Sequence, residues 1–209
     1  MANPRYKRYT SFEGLQNAVL SLAISPDGKY LVAAGEWHQQ WLSTGLFGAA
    51  VWNLITLQSL TLPAIRPEDR LFSTSGWLYF DDGNGEKSRH VLILGSLSGQ
   101  VSALDVIEEE MLQVTRLPVS RSVHQQVVSL DVHQPESGNR TRARVVASFA
   151  DHIVKSWTLS RVGGFQPVFT IDLEPSFLPK TVFFHKESQN VLVFSKEGGS
   201  WFVGLPLLT

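Results

Sequence analysis

Thirteen short apolar runs, each closed by a polar turn cluster, follow one another through this chain. They are AVLSLAI (18–24), YLVAAG (30–35), GAAVWNL (48–54), WLYF (77–80), HVLILGS (90–96), GQVSALDV (99–106), QVVSLDV (126–132), RVVASF (144–149), HIVKSWTL (152–159), PVFTIDL (167–173), KTVFF (180–184), NVLVFS (190–195) and SWFVGL (200–205). Their β-branched and aromatic content, and the Gly, Pro, Asp, Asn and Ser between them, predict strands. No segment of helical length keeps a 3.6-residue apolar period. The nearest, DVIEEEMLQV (105–114), sets three glutamates between two alternating runs and reads as a charged turn. Many short strands without helix leave a sandwich, a barrel or a propeller.

An internal repeat chooses between these. AISPDGKYLVAAG (23–35), YFDDGNGEKSRHVLILG (79–95), DVHQPESGNRTRARVVASF (131–149) and FFHKESQNVLVFS (183–195) each run from an apolar strand through a polar turn into a second apolar strand. Their turns start at Ser25, Asp81, His133 and His185, spaced about 56, 52 and 52 residues, against roughly 40–45 for a propeller blade. AAVWNL, QVSALDV, VKSWTL and SWFVGL align as third strands, and LQSLTL (57–62), MLQVTRL (111–117) and PVFTIDL (167–173) as fourth strands of the first three units.

LSLAISPDGKYLVAAG (20–35), AVWNL (50–54) and HQQVVSLDV…VVASFADHIVKSW resemble blades of the WD-repeat β-propeller family over nearly the whole chain. The resemblance implies an all-β propeller of four four-stranded antiparallel blades, at about 15–62, 73–117, 124–173 and 178–209, in one domain spanning 1–209. RYKRYTSF (5–12) is then available as a closing fourth strand. The match is degenerate. Leu104 and Val203 stand where units two and four would carry the blade Trp, Asn53 and Thr158 follow the tryptophans that are present, and Leu15 replaces a His. In the family a His, a turn Asp and a strand Trp make a buried network within a blade. By position these are His124, Asp151 and Trp157, with Ala147 at the place of the usual hydroxyl residue and Ser148 beside it.

That reading competes with an enzymatic one at DHIVKSW (151–157), where Asp151, His152 and Ser148 or Ser156 supply the residue types of a nucleophilic triad. Neighbours on a strand point to opposite faces, so Asp151 and His152 are badly placed to act on each other. The expectation is a corner that fastens a sheet, with no catalytic set. DDGNGE (81–86) lacks the Gly and Glu placement of a calcium loop, and His133 and His185 fall in different blades, so no metal site is expected. KEGGS (196–200) lacks phosphate-loop spacing, and no cofactor is expected.

Scaffold needs do not explain EWHQQWLSTGLFG (36–48), which adds about ten residues to a turn of a few. Its Trp37, Trp41, Leu46 and Phe47 either pack over their own blade or present an aromatic anchor to a partner. In a propeller this turn shares an end with the inter-blade connections, which carry Arg66, Arg70, Arg121 and Phe177. That end is the expected recognition face for protein or peptide partners, and the expected function is a non-catalytic WD-repeat-type scaffold. The alternative is a small-ligand-binding or enzymatic propeller that uses the central channel.

Composition narrows the partners. A net charge of −1 argues against nucleic acid, although the GEKSRH and GNRTRARVV turns are basic. The chain has no cysteine, which removes disulfide frameworks and thiolate chemistry. No apolar run approaches the roughly 20 residues that span a bilayer. The opening MANPRYKRYTSFEG has no apolar signal core, so an intracellular, cytoplasmic or nuclear protein is expected. Four blades are about half a WD-repeat ring, and an open stack leaves two apolar faces bare. Three arrangements cover them: closure of the four blades on themselves, pairing of two copies head to tail, or completion by another chain or a longer propeller.

Overall fold

The computed structural model describes residues 10–12, 18–35, 48–63, 71–80, 88–107, 111–116, 125–134, 142–160, 164–185 and 190–204. Every regular element among them is a strand, and the strands form four antiparallel sheets in chain order. The first sheet holds β1 (Val19–Ile24), β2 (Tyr30–Gly35) and β3 (Ala49–Asn53). The second holds β4 (Phe72–Phe80), β5 (Arg89–Ser96), β6 (Val101–Ile107) and β7 (Met111–Arg116). In the third are β8 (Val127–His133), β9 (Arg142–Phe149), β10 (Ile153–Ser160) and β11 (Phe165–Asp172). The fourth comprises β12 (Pro179–Phe184), β13 (Val191–Ser195) and β14 (Ser200–Val203). Each sheet is an up-and-down meander whose first strand is innermost. The inner strands β1, β4, β8 and β12 pack in that order, and the sheets do not close into a ring.

Stacking explains why the strands read as continuous apolar runs instead of a clean alternation. Side chains alternate between the two faces of a strand, and both faces of the middle sheets are covered. On β5, Val91 and Ile93 enter the core shared with the third sheet, while Leu92 and Leu94 enter the core shared with the first. On β9, Val145 and Ala147 face the second sheet and Val146 faces the fourth. Charged DVIEEEMLQV is a hairpin, since Ile107 pairs with Met111 across it; residues 108–110 lie outside the described part.

Among the described residues, two of the four sheets, the middle ones, have the expected four strands. In the first sheet, residues 57–60 follow β3 through the Asn53 N–H to Gln58 carbonyl and Leu60 N–H to Val51 carbonyl bonds, but only Ser59 bridges to Trp52. Two local features break the ladder. The Asn53 side chain accepts the N–H groups of Ile55 and Thr56, which forms a tight turn, and Leu57 takes φ 61°. The fourth sheet has three strands among the described residues. Of the segment expected as its closing strand, residues 5–9 lie outside the described part. Phe12 rests on Trp52 of the first sheet, with ring centroids 5.3 Å apart.

All four inner strands share one irregularity. The register slips between Val19 and Ser21, Phe72 and Thr74, Val127 and Ser129, and Pro179 and Thr181. Each such bulge places a hydroxyl residue, Ser21, Thr74, Ser129 or Thr181, at the same register position.

Candidate recognition surface at the turn end

The tight turns joining second to third strands gather at one end of the stack. Three are described: Ser96–Gln100, Phe149–Ile153 and Ser195–Gly199. Each contains a residue in the left-handed region, Gly99 (φ 83°), His152 (φ 66°) and Gly198 (φ 89°). Glycine takes this conformation without steric penalty. The third turn uses a histidine instead.

These turns are tied to the strand approaches of their own sheets. The N–H groups of Leu97, Ala150 and Lys196 donate to the carbonyls of Leu71, Gln126 and Leu178, which lie just ahead of the inner strands. In two turns a serine completes the fastening. Ser96 Oγ accepts the Gln100 N–H at 2.9 Å, and Ser195 Oγ accepts the Gly199 N–H at 2.8 Å. Phe149 occupies that place in the third sheet, so the third turn is held differently. His152 Nδ1 meets the Phe177 carbonyl at 3.0 Å, and the His152 carbonyl accepts the Leu173 N–H at 2.7 Å. Both contacts reach the connection into the fourth sheet.

DHIVKSW is therefore a turn followed by strand β10, with His152 engaged as a fastener. Trp157 is 1% exposed and packs with Val145 and Ala147 between the second and third sheets. Ser148 and Ser156 stand on the opposite face of the sheet from Trp157, where Ser156 Oγ donates to the Val145 carbonyl. Asp151 Oδ1 and Ser148 Oγ are buried without a hydrogen-bond partner among the described residues. His124 lies outside the described residues, as do Trp37, Trp41, Leu46, Phe47, Arg66, Arg70 and Arg121. Of the expected partner-binding residues, Phe177 alone is described. It is 9% exposed, packed with Val182 and Val193 and edge-on to Trp201 at 6.2 Å, because the connection folds its ring inward under the turn. Exposed at this end, among the described residues, are Gln125 and Gln126 ahead of β8, Glu174, Pro175, Ser176 and Leu178 on that connection, and Lys196 to Gly199 on the last turn.

Polar clasps between sheets carried no sequence signal strong enough to find. Asp27, in the β1–β2 turn, accepts from Ser25 Oγ at 2.6 Å and meets His90 Nε2 of β5 at 2.7 Å. Burial works against the Asp27 charge, yet the hydrogen bonds from Ser25 and His90 outweigh it, and its carboxyl titrates below the ordinary aspartate value. Asp131 on β8 accepts the Phe184 N–H of β12 at 2.8 Å. Burial dominates there and raises its pKa, against the bonds from the Phe184 and Val132 N–H groups and the nearby His133. The Gln134 side-chain amide pairs with both the N–H and the carbonyl of Tyr79. No group of three or more potential metal ligands occurs among the described residues.

With this geometry in hand, the fold class is that of a β-propeller. The chain is similar in structure to the computationally designed Ika4 protein, with TM-score 0.59 and 20% identity, over 96% of this chain and 100% of that one. It is also similar to the β-propeller domain of Myceliophteria thermophila Cps50 (Swd1), with TM-score 0.61 and 14% identity. That match covers 96% of this chain and 56% of the other, so the chain spans little more than half the Swd1 domain. No protein-family model and no curated protein sequence matches the chain.

Proposed function

We propose that the chain is a non-catalytic interaction scaffold of WD-repeat type, intracellular, which holds protein or peptide partners on its turn end. The observation that carries this reading is the way three turns are each hydrogen-bonded to the strand approach of their own sheet, with the third sheet's turn bonded also to the connection into the fourth, so that each turn presents its side chains from a fixed backbone. A rim of that kind suits recognition, because binding then orders little additional backbone. Lys196, Glu197, Glu174 and Leu178 supply mixed charge and one apolar contact at the described part of the rim. Trp37, Trp41 and Phe47, in the long insertion between β2 and β3, supply the aromatic anchors.

A peptide array probed with the purified chain tests this. Trp37→Ala with Trp41→Ala, and separately Lys196→Glu with Glu197→Lys, are expected to remove the bound peptides. Ile55→Glu, 73% exposed in the turn after β3 at the other end of the sheets, is expected to leave them bound. Equal loss in the Ile55 variant, or unchanged binding in both rim variants, refutes the assignment.

A further inference from the structure

Every contact between neighbouring sheets joins unlike surfaces. The forward face of one sheet, toward the next in sequence, meets the rear face of its successor. The inner strands repeat a specific bond across this contact. Ser21 Oγ accepts the Ser75 N–H at 3.0 Å, and Ser129 Oγ accepts the Val182 N–H at 3.2 Å. Ser21 and Ser129 share the register position after the bulge, and Ser75 and Val182 share the position one further on. On the fourth sheet Thr181 holds the first of these positions, and on the first sheet Leu22 holds the second. Both are exposed, Leu22 at 65%. The stack thus ends with an acceptor hydroxyl on its forward face and begins with the matching backbone position on its rear face.

The apolar surfaces continue the same pattern. The forward face of the fourth sheet carries Phe183 stacked on Phe194, centroids 5.4 Å apart, and Phe202 at 61% exposure. The corresponding register positions in the second sheet are Gly76, Gly95 and Ala103. Three phenylalanines in place of such small residues do not suit a face meant for water. A Cβ added at Gly76 would lie 3.1 Å from Leu130 and 3.2 Å from Val132. Those two residues correspond in register to Leu22 and Ile24, which are 65% and 58% exposed. Phe183 is therefore aimed where Leu22 and Ile24 of a following sheet would stand, with the two inner strands set apart by the extra ring.

We infer that the forward face of the fourth sheet docks on the rear face of the first sheet of a second copy, so that two chains joined head to tail close a single ring of eight sheets. The occupant follows from continuity. The only described surface that offers the aliphatic pair and the inner-strand N–H in the required register is the rear face of this chain's own first sheet. Four sheets that match 56% of the Swd1 propeller domain are also of the right extent for half a ring. A two-fold pairing of this kind satisfies both ends at once and leaves nothing open to further growth. The turn-end proposal plays no part in this inference.

The mass of the full 209-residue chain in solution tests it, by sedimentation equilibrium over a range of concentrations. The expected mass is twice 23.3 kDa. Leu22→Lys and Phe183→Glu are each expected to give a folded monomer, judged by an unchanged far-ultraviolet spectrum. Both changes in one chain are expected to restore the dimer, because head-to-tail contact brings the two new charges together. Phe202→Glu, at a position 61% exposed, provides a second disruption should Phe183→Glu fail to fold. A monomer at every concentration overturns the inference, as does open-ended polymerisation. A dimer that survives Leu22→Lys also overturns it, since that result means the aromatic faces pack on each other. So does a double variant that stays monomeric when each single variant is a folded monomer.

Discussion

Alanine substitutions at two turn glycines isolate the part of stability that comes from docking one sheet on the next. Gly99 and Gly198 hold the same place in the second and fourth sheets, at φ 83° and 89°. A side chain at such an angle costs about 1–2 kcal/mol on conformational grounds alone. At Gly198 nothing lies within 4 Å of an added Cβ, so that term is the whole effect. At Gly99 the Cβ would sit 2.3 Å from the Gln125 carbonyl oxygen and 3.1 Å from the Gln125 carbonyl carbon and nitrogen. A carbon–oxygen contact settles at about 3.3 Å, so the backbone entering the third sheet must retreat by about 1 Å. Overpacking of that kind adds about 1–3 kcal/mol. Gly198→Ala is therefore expected to lose about 1–2 kcal/mol, and Gly99→Ala about 2–5 kcal/mol, against a typical domain stability of about 5–15 kcal/mol. Gly28→Ala, at φ 75° with nothing within 4 Å, is an internal control that should match Gly198→Ala. Urea unfolding followed by tryptophan fluorescence reads all three, because Trp52, Trp77, Trp157 and Trp201 place one reporter in each sheet. Equal losses at Gly99 and Gly198 would refute the claim that this turn is wedged against the next sheet.

Two carboxylates predict opposite pH behaviour. Burial raises the Asp131 pKa, so its folded-state contribution is fully present below the ordinary aspartate value and declines as pH rises through the raised one. Asp131→Asn keeps an acceptor for the Phe184 N–H, and thermal melts should show it more stable than wild type at neutral pH and equal to it in acid. Asp27 titrates low, so its contribution is present above the ordinary aspartate value and disappears as pH falls through the depressed one. Asp27→Asn should lower the melting temperature at neutral pH, and the difference should shrink on acidification; a constant difference would refute the link to ionisation. At the third turn, His152→Gly relieves a left-handed side chain worth about 1–2 kcal/mol while losing one hydrogen bond worth about 0.5–1.5 kcal/mol, and should come out near neutral in urea unfolding. His152→Ala keeps the strain and loses the bond, so it should be the less stable of the two.

The sheets were legible because stacking leaves a mark in sequence. A strand covered on both faces must be apolar at consecutive positions, and HVLILGS and RVVASF are two such strands. The repeat spacing was legible because each sheet needs the same turn in the same place. That the first sheet has three strands among the described residues was not legible, since LQSLTL has strand-like content and fails through the Asn53 turn and the backbone of Leu57. The inward turn of Phe177 was not legible, because a connection looks exposed in sequence, whereas its ring packs under the His152 turn that binds its carbonyl. The Asp27–His90 clasp joins residues 63 positions apart, and neither neighbourhood announces the other.

One signal was present in the sequence and carries more meaning in three dimensions. Ser21, Thr74, Ser129 and Thr181 recur at spacings near the repeat length, yet isolated hydroxyl residues on apolar strands look incidental. An inner strand has an edge with no sheet partner, and unpaired backbone groups at a closely packed centre are costly unless something bonds to them. A short hydroxyl side chain on the neighbouring inner strand reaches such a group without holding the sheets apart. Ser21 and Ser129 do this for Ser75 and Val182. Ser73 does related work at the middle contact by donating to the Val127 carbonyl. The bulge recurs in all four strands, and in the first and third the hydroxyl residue after it bonds to the neighbouring sheet. A β-propeller built this way is held at its centre by side chain to backbone bonds and at its periphery by apolar packing. Leu22 and Ile24 of the first sheet and Phe194 and Phe202 of the fourth are exposed on the two end faces, where the proposed second copy would supply both requirements.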